Sequence, residues 1–266
     1  MGRRILIASG KGGVGKTTVA AGLGIMLARL GASVVLIDAD MGLSNLDTVL
    51  ELDGKIVFDI ADLLEKKCRI KQALIQSEIC DNLYVLAGGR SVEDYELVDP
   101  IGFEEITKKL AAVFDYVIVD SPAGASTGFK VALSGVDEVI AVVTPHIVSI
   151  RDADKILGIV AAAGIKNPMF VINRIRGDLV VAKKCLSHAQ IEAVMSAKLV
   201  GIIPESDEIS VLSSLCFAKA MDKDIAKSFW ILAGSVHKNK KALFDYTKKY
   251  RGILGFLRRK MIEKGA

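Results

Sequence analysis

Gly10-Lys11-Gly12-Gly13-Val14-Gly15-Lys16-Thr17-Thr18 decides how this 266-residue chain is read. It follows the apolar run RRILIAS (3–9), precedes a helical pattern over 17–30, and satisfies GxxxxGK[ST] in the strand-to-helix context that the motif requires. The glycines let successive backbone N–H groups turn toward a phosphate, and a helix opening near Thr17 adds the positive end of its dipole. These nine residues are the expected cradle for ATP: Lys16 neutralises the β- and γ-phosphates, and the Thr17 hydroxyl is a Mg²⁺ ligand.

Outward from the loop, short β-branched runs recur: SVVLIDAD (33–40), NLYVLAG (82–88), DYVIVDSP (115–122), DEVIAVVTP (137–145), MFVINRI (169–175) and KLVGIIPE (198–205). Their nearly continuous apolar character suits strands buried on both faces. Helical patterns fall around 17–30, 57–66, 101–113, 151–163 and 206–217. The expected fold is α/β, a single P-loop NTPase domain whose mostly parallel twisted sheet is flanked by helices on both faces. Such sheets hold ligands at the carboxyl ends of their strands, where three carboxylates stand. Asp120 fits the acid that holds the Mg²⁺ water shell, Asp38 adds to it, and Asp40 fits the group that orients the attacking water. The loops starting at Asp40 and Ser121 are the expected switch segments, with Gly124 and Gly128 giving the second its freedom.

KGGVGKTT (11–18) resembles the signature of the deviant Walker A (ParA/MinD) family, and five further stretches resemble its MinD branch: LIDADMGLSNLD (36–47), DYVIVDSPAG (115–124), SIRDADKILGIV (149–160), FVINRIRGD (170–178) and LVGIIPE (199–205). The resemblance implies an ATP-sandwich homodimer in which Lys11 reaches the phosphates held by the other subunit. It also implies that Asn173, Pro204 and Glu205 surround the adenine, with Asn173 hydrogen-bonding the base. Arg151, Asp152 and Asp154 would then take part in binding a MinC-like inhibitor and a MinE-like regulator. Ser126 and His146 depart from the family pattern, which commonly has glutamate at both places, and 206–236 follows it only loosely.

Charge is unevenly spread. Residues 238–264 carry ten of the 35 Lys and Arg but only Asp245 and Glu263 among the 31 acids, so a mildly acidic body of residues 1–236 meets a basic tail of residues 237–266. Tyr250, Ile253, Leu254, Leu257 and Met261 share one helical face, Phe256 lies between, and Lys249, Arg251, Arg258, Arg259 and Lys260 flank it. That is the composition of an interfacial amphipathic helix over about 248–262, and it resembles the family's membrane-targeting tail. Anionic lipids on the inner face of the cell membrane are its expected partner, and the body is expected in the cytoplasm. The start MGRRILIASG breaks into the glycine loop too early for a signal peptide, no apolar run reaches a membrane span, and four cysteines without a CxxC pair suit a reducing compartment.

The function expected is a Mg²⁺-dependent ATPase that dimerises on ATP, binds the membrane through its tail, and regulates placement of the division septum. Two other classes share the body. A ParA-type partition ATPase would turn the tail to DNA, for which the apolar stripe has no use, so nucleic acid is not the expected partner. A flagellar-number regulator of the FlhG type usually carries an extension before the P-loop. The segment 121–128 has no cysteine for a metallocluster.

Overall fold

The computed structural model describes residues 1–41, 45–52, 54–89, 98–206, 223–251 and 255. Eight strands form one sheet in the order β3-β4-β2-β5-β1-β6-β7-β8. They are β1 (Arg3–Ala8), β2 (Val34–Asp38), β3 (Leu74–Gln76), β4 (Leu83–Leu86), β5 (Tyr116–Asp120), β6 (Glu138–Val143), β7 (Met169–Ile175) and β8 (Lys198–Pro204). All seven expected strands are present and parallel. The eighth, β3, runs antiparallel at the edge beside β4. Its three residues are too few for a period to show in sequence.

The described helices are α1 (Lys16–Arg29), α2 (Leu46–Val49), α3 (Ile60–Leu64), α4 (Ile70–Ala73), α5 (Pro100–Ala111), α6 (Thr127–Ser134), α7 (Ile147–Ala162), α8 (Gly177–Val181), α9 (His188–Glu192) and α10 (Lys223–Lys238). Alternation along β1 divides them between two layers. Ile5 and Ile7 face one core with α1 and α10, whereas Leu6 and Ala8 face another with α5 and α6. A third cluster, built on β6, β7 and β8, takes in α7, Phe244 and Tyr246. The small residues of α1 let it lie tight between sheet and α10: a Cβ on Gly22 would stand 2.4 Å from Phe229 Cε1.

Several expectations shift. The helix expected over 57–66 is only α3, held at its start by Asp59, whose carboxylate accepts from the Ala61 and Asp62 amides. The helix expected from 151 begins four residues earlier, at Ile147. Gly128 lies inside α6 and not in a loop. Helix α10 was not expected at all, although Ile225, Phe229, Leu232 and Val236 are its buried stripe. The helix expected over 206–217 lies outside the described residues, apart from Ser206.

After α10 the described residues as far as Tyr250 stay on the body: Phe244, Tyr246 and Tyr250 are each 7 % exposed. Tyr250, assigned by its spacing to the tail's apolar face, is therefore buried at the end of a short 3-10 turn, Lys248–Tyr250. The membrane-binding residues Ile253, Leu254, Phe256, Leu257, Arg258, Arg259, Lys260 and Met261 lie outside the described residues. No described helix is long and apolar enough to cross a membrane.

Candidate functional site

β1 lies between β5 and β6, so the strand order reverses at its carboxyl end and opens the crevice where such sheets take ligands. The P-loop leaves β1 at that point. Gly13 (φ 78°) and Gly15 (φ 87°) both adopt the left-handed backbone that a side chain disfavours, and α1 starts immediately after them. Lys11, Gly12 and Gly13 are exposed at the rim, whereas Lys16 is buried.

The register of the parallel pairs sets the carboxylates. Asp38 pairs with Asp120 across β2 and β5, which brings two buried acids to one level beside the loop. Lys16 Nζ donates to Asp120 Oδ1 at 2.8 Å, and Thr17 Oγ1 donates to Asp120 Oδ2 at 2.6 Å. Burial pushes the Asp120 carboxyl up, and the charge and hydrogen bonds of Lys16, with the Thr17 hydroxyl, pull it back. Asp38 is pushed up to about 7, first by burial and then by the charge of Asp120. Its oxygens accept the amides of Asp40 (2.9 Å), Asn45 (3.0 Å) and Leu46 (3.1 Å), so Asp38 gathers the loop that carries Asp40 and holds the start of α2.

Thr17 and Asp120 converge on one point, a hydroxyl and a carboxylate of the kind Mg²⁺ takes when phosphate oxygens and water complete its shell. Among the described residues no cluster of three His, Cys, Asp or Glu could hold a metal by itself. The donor set fits a cation that arrives with a phosphate.

Asn173 lies beneath the loop. Its Nδ2 donates to Val14 O at 2.8 Å, and Gly15 sits so close that a Cβ there would come within 2.3 Å of that nitrogen. The pairing of β7 with β8 is irregular between Ile172 and Ile175, and Arg174 takes φ 58°, a left-handed conformation costly for a residue with a side chain. That irregularity falls where Asn173 meets the P-loop and where exposed Arg174 lines a cavity of about 750 Å³ with Lys11, Gly12, Thr144 and Glu205. Pro204 and Glu205 also line an adjoining cavity of about 620 Å³ together with Tyr246 and Tyr250. Spacing alone passes over Arg174, because a positive φ in a non-glycine residue leaves no trace in composition.

The expected partner residues stand on α7. Arg151 and Asp154 are exposed, while Asp152 is half-buried, paired with Lys155 at 3.2 Å, and packed against the P-loop. A Cβ on Gly10 would lie 2.3 Å from the Asp152 carbonyl, so the first P-loop glycine is needed for this close approach. His146 precedes α7 without capping it, and exposed Ile147 and Val148 follow. Ser126 caps α6, its hydroxyl accepting the Phe129 amide at 3.2 Å. The Gly124 amide donates to Ser9 O at 2.9 Å, tying the loop after β5 to the one after β1.

Comparison with known proteins agrees with this arrangement. Residues 5–214 match the model of the CobQ/CobB/MinD/ParA nucleotide binding domain. The chain is 41 % identical over 223 residues to the septum site-determining protein MinD of Bacillus subtilis, covering 84 % of this chain and 83 % of that one. Its fold is similar to MinD in the MinC:MinD cell division protein complex of Aquifex aeolicus, with TM-score 0.79 and 35 % identity over 92 % of this chain and 99 % of that one. It is also similar to the Mg-ADP complex of MinD from Pyrococcus horikoshii, with TM-score 0.78 and 29 % identity over 90 % and 97 % of the two chains. A P-loop on the central strand, two acids in register beside it and this breadth of likeness make the chain a member of the MinD/ParA family of nucleotide-binding ATPases, on its MinD, cell-division branch.

Proposed function

We propose that this chain is a Mg²⁺-dependent ATP hydrolase that dimerises on ATP, attaches to the inner face of the cell membrane through its C-terminal amphipathic helix, and regulates placement of the division septum. The observation that carries the catalytic half is the convergence of Lys16, Thr17 and Asp120 at the switch point of the sheet. Incoming phosphates draw Lys16 from Asp120 and take the amides of residues 10–18. Thr17 and Asp120 would hold Mg²⁺, which would supply charge neutralisation to the bound phosphates. Asp38 organises the loop from which Asp40 orients a water; the water's oxygen bonds to the γ-phosphorus as the bond from that phosphorus to the β–γ bridging oxygen breaks, and the water's proton passes to the phosphate that is released.

Lys11, exposed at the rim, is free of the role that Lys16 fills and suits a phosphate of the second subunit. Arg151 and Asp154 on α7 suit a MinC-like inhibitor or a MinE-like regulator, and Asp152 joins that surface to Gly10. The relative in complex with MinC supports the first of these partners.

Two tails on one dimer raise avidity by on the order of 10²–10⁴ over a single tail, so dimerisation is enough to move the protein to the membrane. Sedimentation with phosphatidylglycerol vesicles in Mg-ATP or Mg-ADP tests this. The wild-type chain pellets in ATP, and a Leu254→Glu, Leu257→Glu chain stays in the supernatant. Pelleting indifferent to nucleotide and to those substitutions rejects the reading. Asp40→Ala with undiminished phosphate release would remove Asp40 from the water-orienting role, and an unmutated chain that binds ATP without releasing phosphate would turn the assignment to an ATP-binding scaffold.

A further inference from the structure

Helix α10 buries one face, through Ile225, Phe229, Leu232 and Val236, against α1 and the sheet. The opposite side carries Lys223, Lys227, Trp230, Gly234 and Lys238 at steps of four, three, four and four residues, a single stripe about 22 Å long. Trp230, the one tryptophan of the chain, is 47 % exposed in the middle of it. A Cβ on Gly234 would meet nothing within 4 Å, so the stripe is uncovered a turn further on as well. Among the described residues no ion pair engages Lys223, Lys227 or Lys238, and Asp224, beside the stripe, is the only acid of the helix.

A large amphipathic ring in open water between unpaired ammonium groups is a poor arrangement for a surface that meets only solvent. It suits the headgroup level of an anionic bilayer, where tryptophan settles and each lysine contributes about 1 kcal/mol, a factor of about five in affinity. Position argues for the same occupant. Lys227 lines one cavity together with Lys248, Lys249 and Tyr250, the residues that lead into the basic segment, and Trp230 stands one turn from Lys227.

We infer that the exposed stripe of α10 is a second membrane-contact surface, which lays the body against an anionic bilayer beside the root of the tail. It rests on the membrane attachment proposed above and adds an orientation to it. The body then lies with α10 toward the lipid and is not held only by a tether.

Trp230 is its own reporter. The full chain in Mg-ATP is mixed with vesicles of phosphatidylcholine alone or with phosphatidylglycerol, each with or without lipids brominated on the acyl chains. On phosphatidylglycerol vesicles Trp230 emission moves to shorter wavelength and the brominated lipids quench it. Lys223→Gln with Lys238→Gln weakens vesicle binding about tenfold or more. Protein that pellets with unshifted, unquenched emission overturns this surface and leaves the tail reading standing. Protein that does not pellet overturns both. A shift on Mg-ATP without vesicles assigns the stripe to a second copy, and a shift with duplex DNA but not vesicles assigns it to nucleic acid; either result overturns the proposal.

Discussion

Two lysines five residues apart in sequence divide the roles of the P-loop. Lys16 is buried against Asp120, and Lys11 stands at the exposed rim. Lys16→Ala removes the only loop ammonium that reaches Asp120 and is expected to abolish ATP-dependent dimerisation in analytical ultracentrifugation. Lys11→Ala is expected to keep ATP binding and lose the dimer; a dimer of wild-type strength would remove its cross-subunit role. Asn173 poses a different question, because one of its two amide hydrogens is given to Val14 O, inside the loop and not to a base. Asn173→Ala leaves that buried carbonyl unpaired, which costs about 1–3 kcal/mol of stability. If support of the loop is its work, affinities for ATP and GTP fall by the same factor. A change in their ratio, measured by calorimetry, would restore the base-reading role that the family resemblance implies.

Elements carry the next level of argument, since α1 reaches its place only through small residues. Alanine normally stabilises a helix relative to glycine by about 1 kcal/mol. At Gly22 the new methyl would press on the ring of Phe229, 2.4 Å from Cε1, and α10 lies behind that ring. Overpacking of this kind costs about 1–3 kcal/mol, so Gly22→Ala is expected to lower the urea midpoint, and Phe229→Leu in the same chain to recover part of the loss. A double-mutant cycle without coupling would show that α1 and α10 do not meet there. Gly10 makes the same kind of contact with α7 through the Asp152 backbone.

For the whole molecule, the two buried acids make stability depend on pH in an unusual direction. Asp38 holds its proton up to about 7 in the folded chain, against an unfolded value near 3.9. A carboxyl raised on folding binds its proton more tightly when folded, so its contribution falls as pH rises from about 4 to about 7 and levels off above. The paired acids Asp115 and Asp178 are held low, and their opposite contribution is lost only in stronger acid. Nucleotide-free protein should therefore melt at a higher temperature at pH 5.5 than at pH 8, and Mg-nucleotide should flatten that slope by placing cations beside both acids. A melting temperature independent of pH across this interval without nucleotide would mean that Asp38 is ionised and solvated.

Sequence by itself determined the seven parallel strands, the P-loop and the acids that end β2 and β5, because each depends on local pattern: a buried parallel strand is a continuous apolar run, and a phosphate loop is a run of glycines between strand and helix. It also marked the basic tail, whose charge and apolar spacing are properties of composition. Tertiary structure alone decided which groups meet. Asp38 and Asp120, 82 residues apart, are level only because β2 and β5 pair in that register. Asn173 supports the P-loop across 159 residues, where the irregular end of β7 meets it. Tyr250 carries the spacing of a tail residue and is buried all the same, since its ring packs on the start of α8, where a Cβ on Gly177 would stand 3.1 Å from its Cε2. Helix α10 went unread for a related reason: its buried face is interrupted by Ser228 and Ser235, and only the presence of α1 and β8 makes that face worth burying.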